Sequence, residues 1–183
     1  MTVAVGRRRF SFILPRPWPY PDATEIVRRS GHVWQNLRTL TWRERLASGP
    51  RNHLDTVYRA VAPNRFGYRI VGRAEAVVIG TRRWDRSSAH GSWEVSQQLP
   101  ALRQPVPFWS DVRDAHVVGL PTVRGHRALR ITFFDPATPA WFSVVLDQRT
   151  LRTLSLQMLA AAHFMRHVYR GFNRPLKLEP PAK

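Results

Sequence analysis

The sequence predicts an α+β fold in which a strongly curved antiparallel β-sheet covers an N-terminal helix and short mid-chain helices. Three observations carry this. From Leu40 to Ile79, short runs rich in Val, Ile, Tyr and Trp recur roughly every ten residues between Gly and Pro turn signals. Between Thr24 and Leu37 the apolar residues recur instead at helical spacing. From Ala140 onward the chain alternates again, and side chains of a strand point by turns to two faces.

Residues 1–22 read as a basic, then proline-rich lead. Pro15, Pro17, Pro19 and Pro21 alternate with Arg16, Trp18, Tyr20 and Asp22. Each proline fixes its own φ and restricts its predecessor, so the segment is expected to be an extended spacer, or a ligand for a proline-recognition module. Residues 23–183 are expected to form a single domain. Asp22 or Thr24 can cap a helix carrying Ile26, Val27, Val33, Trp34 and Leu37, with Gly31 as a weak point in its middle. Strands are then expected over Leu40–Ala47, His53–Ala62, Arg65–Val71 and Ala74–Ile79, punctuated by Gly49-Pro50, Pro63-Asn64, Gly72 and Gly80. Trp84 and Trp93 bracket a polar turn that reads as one more hairpin. Prolines 100, 105, 107 and 121 surround Trp109–Leu120, where Val112, Ala115 and Val118 suggest a short helix. Ala128–Asp135 returns to strand. In the closing strands, Phe142, Val144 and Leu146 oppose Trp141, Ser143, Val145 and Asp147. Phe164, Val168 and Phe172 likewise oppose His163, Met165, His167 and Tyr169, which sorts a greasy face from a mixed one.

A chain of 183 residues can build its own core without staples, and it contains no cysteine, which excludes disulfides, a thiol nucleophile and cysteine-held metals. The net charge is +17, yet every basic residue except Lys177 and Lys183 is arginine and the arginines are scattered. Such a skew fits a compositional bias with a solvated basic surface, or an anionic partner such as membrane lipid or nucleic acid. No window reaches the roughly 18–20 apolar residues that span a bilayer. Arg7-Arg8-Arg9-Phe10 resembles the start of a twin-arginine export signal, but the apolar run that follows stops at Pro15. Taken alone, this places the chain in the cytoplasm or its native start upstream of Met1.

The order of elements, with four local phrases, resembles the bacterial lipoprotein-carrier fold of the LolA and LolB carriers and the mycobacterial LppX and LprG lipoproteins. The phrases are Ala62-Pro63-Asn64-Arg65-Phe66-Gly67-Tyr68-Arg69, the hairpin Glu75 to Trp84, the late strand pair Phe142 to Leu151 joined by Asp147-Gln148-Arg149-Thr150, and the ending Phe172 to Pro181. The resemblance covers about residues 23–181. It implies a half-barrel over helices that leaves an apolar cavity for acyl chains, and a place outside the cytoplasm, periplasmic and membrane-associated. The chain departs from these relatives in having no lipobox cysteine.

Catalytic signatures are absent. No spaced carboxylate pair, Gly-x-Ser-x-Gly elbow, phosphate loop or dinucleotide fingerprint occurs, so neither enzymatic activity nor a cofactor is expected. The expected function is binding or carriage of a lipid or lipoprotein acyl chain. The bulky residues Trp42, Tyr58, Phe66, Trp84, Phe133, Trp141 and Phe164 are its candidate cavity walls. Trp18 and Trp109, flanked by prolines, are expected nearer the surface. Two alternatives remain at this level. His163, Met165 and His167 share one strand face and offer imidazole and thioether groups suited to copper. Arg65-Phe66-Gly67-Tyr68-Arg69 interleaves basic and aromatic residues as nucleic-acid-binding sheets do, although the meander order does not match an RNA-recognition βαββαβ module.

Overall fold

The structure is a computed structural model describing residues 2–5, 8–11, 22–49, 52–161 and 163–182. Strands β1 (Thr2–Val5) and β2 (Arg8–Ser11) pair as an antiparallel hairpin with a sheet of its own, where the sequence suggested only an extended lead. The proline-rich stretch after them lies outside the described residues, as does Trp18.

Helix α1 spans Ala23–Gln35. Asp22 caps it, its Oδ1 accepting from Thr24 N at 2.9 Å, and Glu25 adds negative charge to the first turn, where the helix dipole favours it. Ala23, Ile26, Val27, Ser30 and Trp34 form the buried stripe. Gly31 is outside the stripe and faces open space, so its lack of a side chain costs no packing.

The remaining strands are β3 (Thr39–Gly49), β4 (Asn52–Val61), β5 (Arg65–Ile70), β6 (Glu75–Ile79), β7 (Arg82–Arg86), β8 (Glu94–Gln97), β9 (Arg113–Gly119), β10 (Thr122–Val123), β11 (His126–Asp135), β12 (Ala140–Asp147), β13 (Thr153–Ala160) and β14 (His163–Arg170). All belong to one open antiparallel sheet in the order β10-β11-β12-β13-β14-β3-β4-β5-β6-β7-β8, with β9 also paired to β11. The last strand therefore inserts beside the first strand of the meander. The segment expected to be a short helix, Trp109–Leu120, is instead coil followed by β9. Shifts in the β9–β11 register and a positive φ of 51° at Asp114 break the alternation there, so its apolar residues mimic helical spacing. Among the described residues α1 is the one helix, and it is not long and apolar enough to cross a membrane.

The inner face is the one that carries α1. Ile26, Val27 and Trp34 pack on Ile131, Phe133, Phe142, Val144, Leu156 and Tyr169. Each such aliphatic or aromatic side chain contributes about 1.5–3 kcal/mol on full burial. Two buried hydrogen bonds fix the helix over this half: Ser30 Oγ donates to Leu151 O at 2.9 Å, and Trp34 Nε1 to Thr153 Oγ1 at 3.0 Å. On the outer face, the tail after β14 runs back over the sheet. Asn173 N donates to Thr39 O, and Leu178, 4% exposed, rests on Gly67. A side chain at Gly67 would come within 3.1 Å of Leu178 Cδ1, which explains a glycine inside a strand.

Candidate functional site

The inner face of β14, β3, β4 and β5, beyond the half that α1 covers, carries an aromatic floor. Trp42 and Tyr58, cross-strand partners, stack at 4.8 Å with ring planes 11° apart. Phe66 lies 5.7 Å from Tyr58, and Tyr68 6.3 Å from Phe66. All four rings are half-buried. The indole Nε1 of Trp42 is buried yet has no hydrogen-bond partner among the described residues. Buried donors are paired in the great majority of cases, so this one points to a missing acceptor.

Beside the floor sits a buried polar cluster. His167 Nε2 is 2.7 Å from Glu44 Oε2, and His167 Nδ1 is 2.8 Å from the Tyr169 hydroxyl. Tyr58 donates its hydroxyl proton to Glu44 Oε1 at 3.0 Å. Burial first, and then the charge of Glu44, push the Tyr58 and Tyr169 hydroxyls well above the ordinary phenol range. Both therefore stay protonated, and Tyr58 acts as a donor to Glu44.

A strap, residues 98–112, crosses over this face between β8 and β9. Gln104 N donates to Pro63 O at one side, and Ser110 N to Asp135 Oδ2 at the other, both at 2.9 Å. Asp135 is fully buried and also accepts from Ala137 N and Thr138 Oγ1. Trp109 plugs into the core, 6.2 Å from Trp34 and 5.8 Å from Phe133. This corrects the expectation that its flanking prolines hold it near the surface. Its neighbour Phe108 stays 44% exposed, edge-on to His167 at 5.3 Å. A groove of about 350 Å³ opens between α1 and the strap, lined by Val27, Gly31, Pro107 and Trp109 among others.

The seven expected wall residues divide among three places. Trp42, Tyr58 and Phe66 come together in the floor. Phe133 shares their face but is wholly buried, stacked on Phe142 at 5.3 Å under the helix. Trp84, Trp141 and Phe164 lie on the outer face: Trp84 pairs with Val77 opposite Gly67, and Trp141 and Phe164 flank Leu159 in an exposed apolar row. The face expected to be greasy on β14 is thus the exposed one, and the mixed face, with Met165, His167 and Tyr169, is buried.

That inversion also decides the copper alternative. His167 has both ring nitrogens committed, Met165 packs in the core opposite Met158, and His163 is exposed. Among the described residues no three His, Cys, Asp or Glu side chains gather as a metal site. The nucleic-acid alternative separates as well. Phe66 and Tyr68 face inward, whereas Arg65 reaches the tail, donating to Leu178 O, so the aromatic and basic residues of that phrase do not share a surface.

Glu44 and Phe108 were not singled out in the sequence, and Tyr68 figured there only within the phrases around Arg65–Arg69 and not as a cavity wall. Glu44 sits in Arg43-Glu44-Arg45, which looks like a solvated charge run, but its parity with Leu40, Trp42 and Leu46 marks it as inward-facing.

This is an LppX-like fold. No protein-family model matches the chain, and no curated protein has a similar sequence. Among solved structures it is similar to the Mycobacterium tuberculosis lipoprotein LppX, with a TM-score of 0.62 and 11% identity over 86% of this chain and 98% of that one. It is similar also to LprF of Mycobacterium bovis, with a TM-score of 0.63 and 8% identity over 90% of this chain and 99% of that one.

Proposed function

We propose that the domain is a non-enzymatic carrier that binds the acyl chain of a lipid or lipoprotein between the aromatic floor and the strap, at the cell envelope. The observation that carries this is the floor itself. Trp42, Tyr58, Phe66 and Tyr68 form a continuous apolar surface that α1 leaves to a strap of coil, and the Trp42 indole N–H has no acceptor among the described residues. An ester or amide carbonyl of an acylated ligand supplies such an acceptor, and the rings supply area for its chain. The strap's hydrogen bonds at Pro63 and Asp135 act as latches whose release admits the ligand. The likeness of the fold to the lipoprotein LppX supports a place at the cell envelope. The basic surface adds attraction to anionic membranes of about 1 kcal/mol per nearby basic residue, which weakens with salt.

The test is displacement of a fluorescent long-chain fatty acid. Wild-type protein binds the probe saturably, and binding persists in high salt. Trp42→Ala and Phe66→Asp, checked for folding by circular dichroism, weaken it about tenfold, whereas Trp84→Asp on the outer face leaves it unchanged. Absence of saturable binding by the wild type, or equal losses in all three variants, overturns the reading.

A further inference from the structure

A second concavity, of about 390 Å³, lies at the end of the sheet where three distant segments meet. The β10–β11 turn brings Arg124 and His126, the β12–β13 turn brings Arg149 and Arg152, and the exit from β14 brings Arg170 and Arg174. Five guanidinium groups thus line one small pocket. Like charges so gathered repel one another unless something of opposite sign lies between them.

Some arginines elsewhere in the fold have such a partner. Arg28, Arg45, Arg83, Arg86 and Arg113 each hold a carboxylate. Among the described residues the one carboxylate lining this pocket is Asp147, and it is committed. Its Oδ1 accepts from Thr150 N, Thr150 Oγ1 and Arg149 N, and its Oδ2 faces His126 Nδ1 at 3.0 Å. Among the described residues none of the five guanidinium groups has an ion pair or hydrogen bond. Arg152 is instead stacked over the Phe172 ring at 5.4 Å. The backbone that presents them is set by left-handed residues at Arg124, Leu151, Gly171 and Asn173. At Gly171, with φ +66°, a side chain would meet Thr41 Oγ1 at 2.9 Å, so glycine is needed for the turn that brings Arg174 back. Asn173 locks that turn by accepting from Arg38 N and donating to Thr39 O.

We propose that this pocket binds the phosphate group of a phosphate ester. Guanidinium forks match phosphate oxygens in pairs, and a pocket built in advance loses little on binding. Val123, Leu154 and Phe172 add an apolar lining that suits the carbon side of an ester better than bare phosphate. The ester is either a lipid headgroup or a small soluble one. The inference does not depend on acyl-chain binding, because the aromatic floor lies on the inner face and can fail or hold by itself.

Calorimetric titration with glycerol phosphate and co-sedimentation with phosphatidylglycerol vesicles, against neutral phosphatidylcholine vesicles, test it on the full chain. Arg149→Gln/Arg170→Gln removes two exposed charges of the pocket, and Arg69→Gln/Arg73→Gln removes two exposed charges elsewhere. The expected result is saturable binding that falls at least tenfold in the first variant and less than twofold in the second. Pocket-dependent binding of the soluble ester alone identifies a free phosphate ester as the ligand. Pocket-dependent binding of vesicles identifies a lipid headgroup. Binding to neither probe, or equal losses in the two variants, overturns the proposal.

Discussion

His167 and Glu44 face each other across the β14–β3 seam, Nε2 to Oε2 at 2.7 Å, with 2% and 9% of their side chains exposed. The pair joins the closing strand to the first strand of the meander, and it supports the floor by holding Tyr58.

Glu44→Ala leaves His167 and the Tyr58 hydroxyl without their acceptor inside the sheet. Leaving a buried donor unsatisfied costs about 1–3 kcal/mol. Glu44→Leu/His167→Phe removes both partners and is expected to cost less than the sum of Glu44→Leu and His167→Phe, since apolar groups of similar shape can replace both members of a buried hydrogen-bonded pair with little loss. Urea unfolding of the wild type, the two single variants and the double variant, with Glu44→Ala alongside, checks this.

Alkaline stability follows from Tyr58. Its hydroxyl pKa is raised in the folded protein above the unfolded value of about 10 by burial and by Glu44. The folded state therefore holds the proton more tightly, and stability is full below that pH and declines as pH rises through and beyond it. Tyr58→Phe is expected to lower stability at neutral pH by about 1 kcal/mol and to flatten the alkaline decline, as read from thermal unfolding against pH.

Asp147 governs the acid limb. Burial alone raises its pKa, but the hydrogen bonds from Thr150 and Arg149 and the nearby His126 outweigh that and hold it below the usual carboxylate range. Its contribution is present above the unfolded pKa of about 4 and is lost as pH falls through the lower folded value. Asp147→Asn is expected to reduce stability at pH 7 and to shrink the loss between neutral and acid pH.

Leu178 holds the tail on the outer face. Leu178→Ala is expected to cost about 2 kcal/mol and to speed cleavage at Lys177, which is exposed and has Glu179 as its ion-pair partner. Gly67→Val should loosen the same contact from the other side. Limited proteolysis with mass spectrometry reads both.

Much of the fold was legible from local chemistry. Gly49-Pro50, Pro63-Asn64, Gly72 and Gly80 place the ends of β3 to β6 within a residue or two, and Asp22 marks the start of α1. The stretch 113–119 was misread because a bulged strand loses its period of two, the signal on which a strand is recognised. The site was legible only in part. Trp42, Tyr58 and Phe66 are visible as bulky residues, but what unites them is register, and register depends on partners far along the chain. Parity sorted Phe164 correctly from His167. It carries no label for inside and outside, and on β14 the more polar face turns inward because Glu44 and Tyr169 satisfy the histidine there.

The pairing of β14 with β3 also has a consequence during synthesis. Strand β3 leaves the ribosome early, but its neighbour is encoded some 120 residues later. Until then the nascent meander ends in a long edge with unpaired amides and carbonyls, a template for wrong partners. The aromatic floor stays without its flanking strand over the same interval. A chain ending before β14 is therefore not a smaller version of this domain but two part-sheets with no seam.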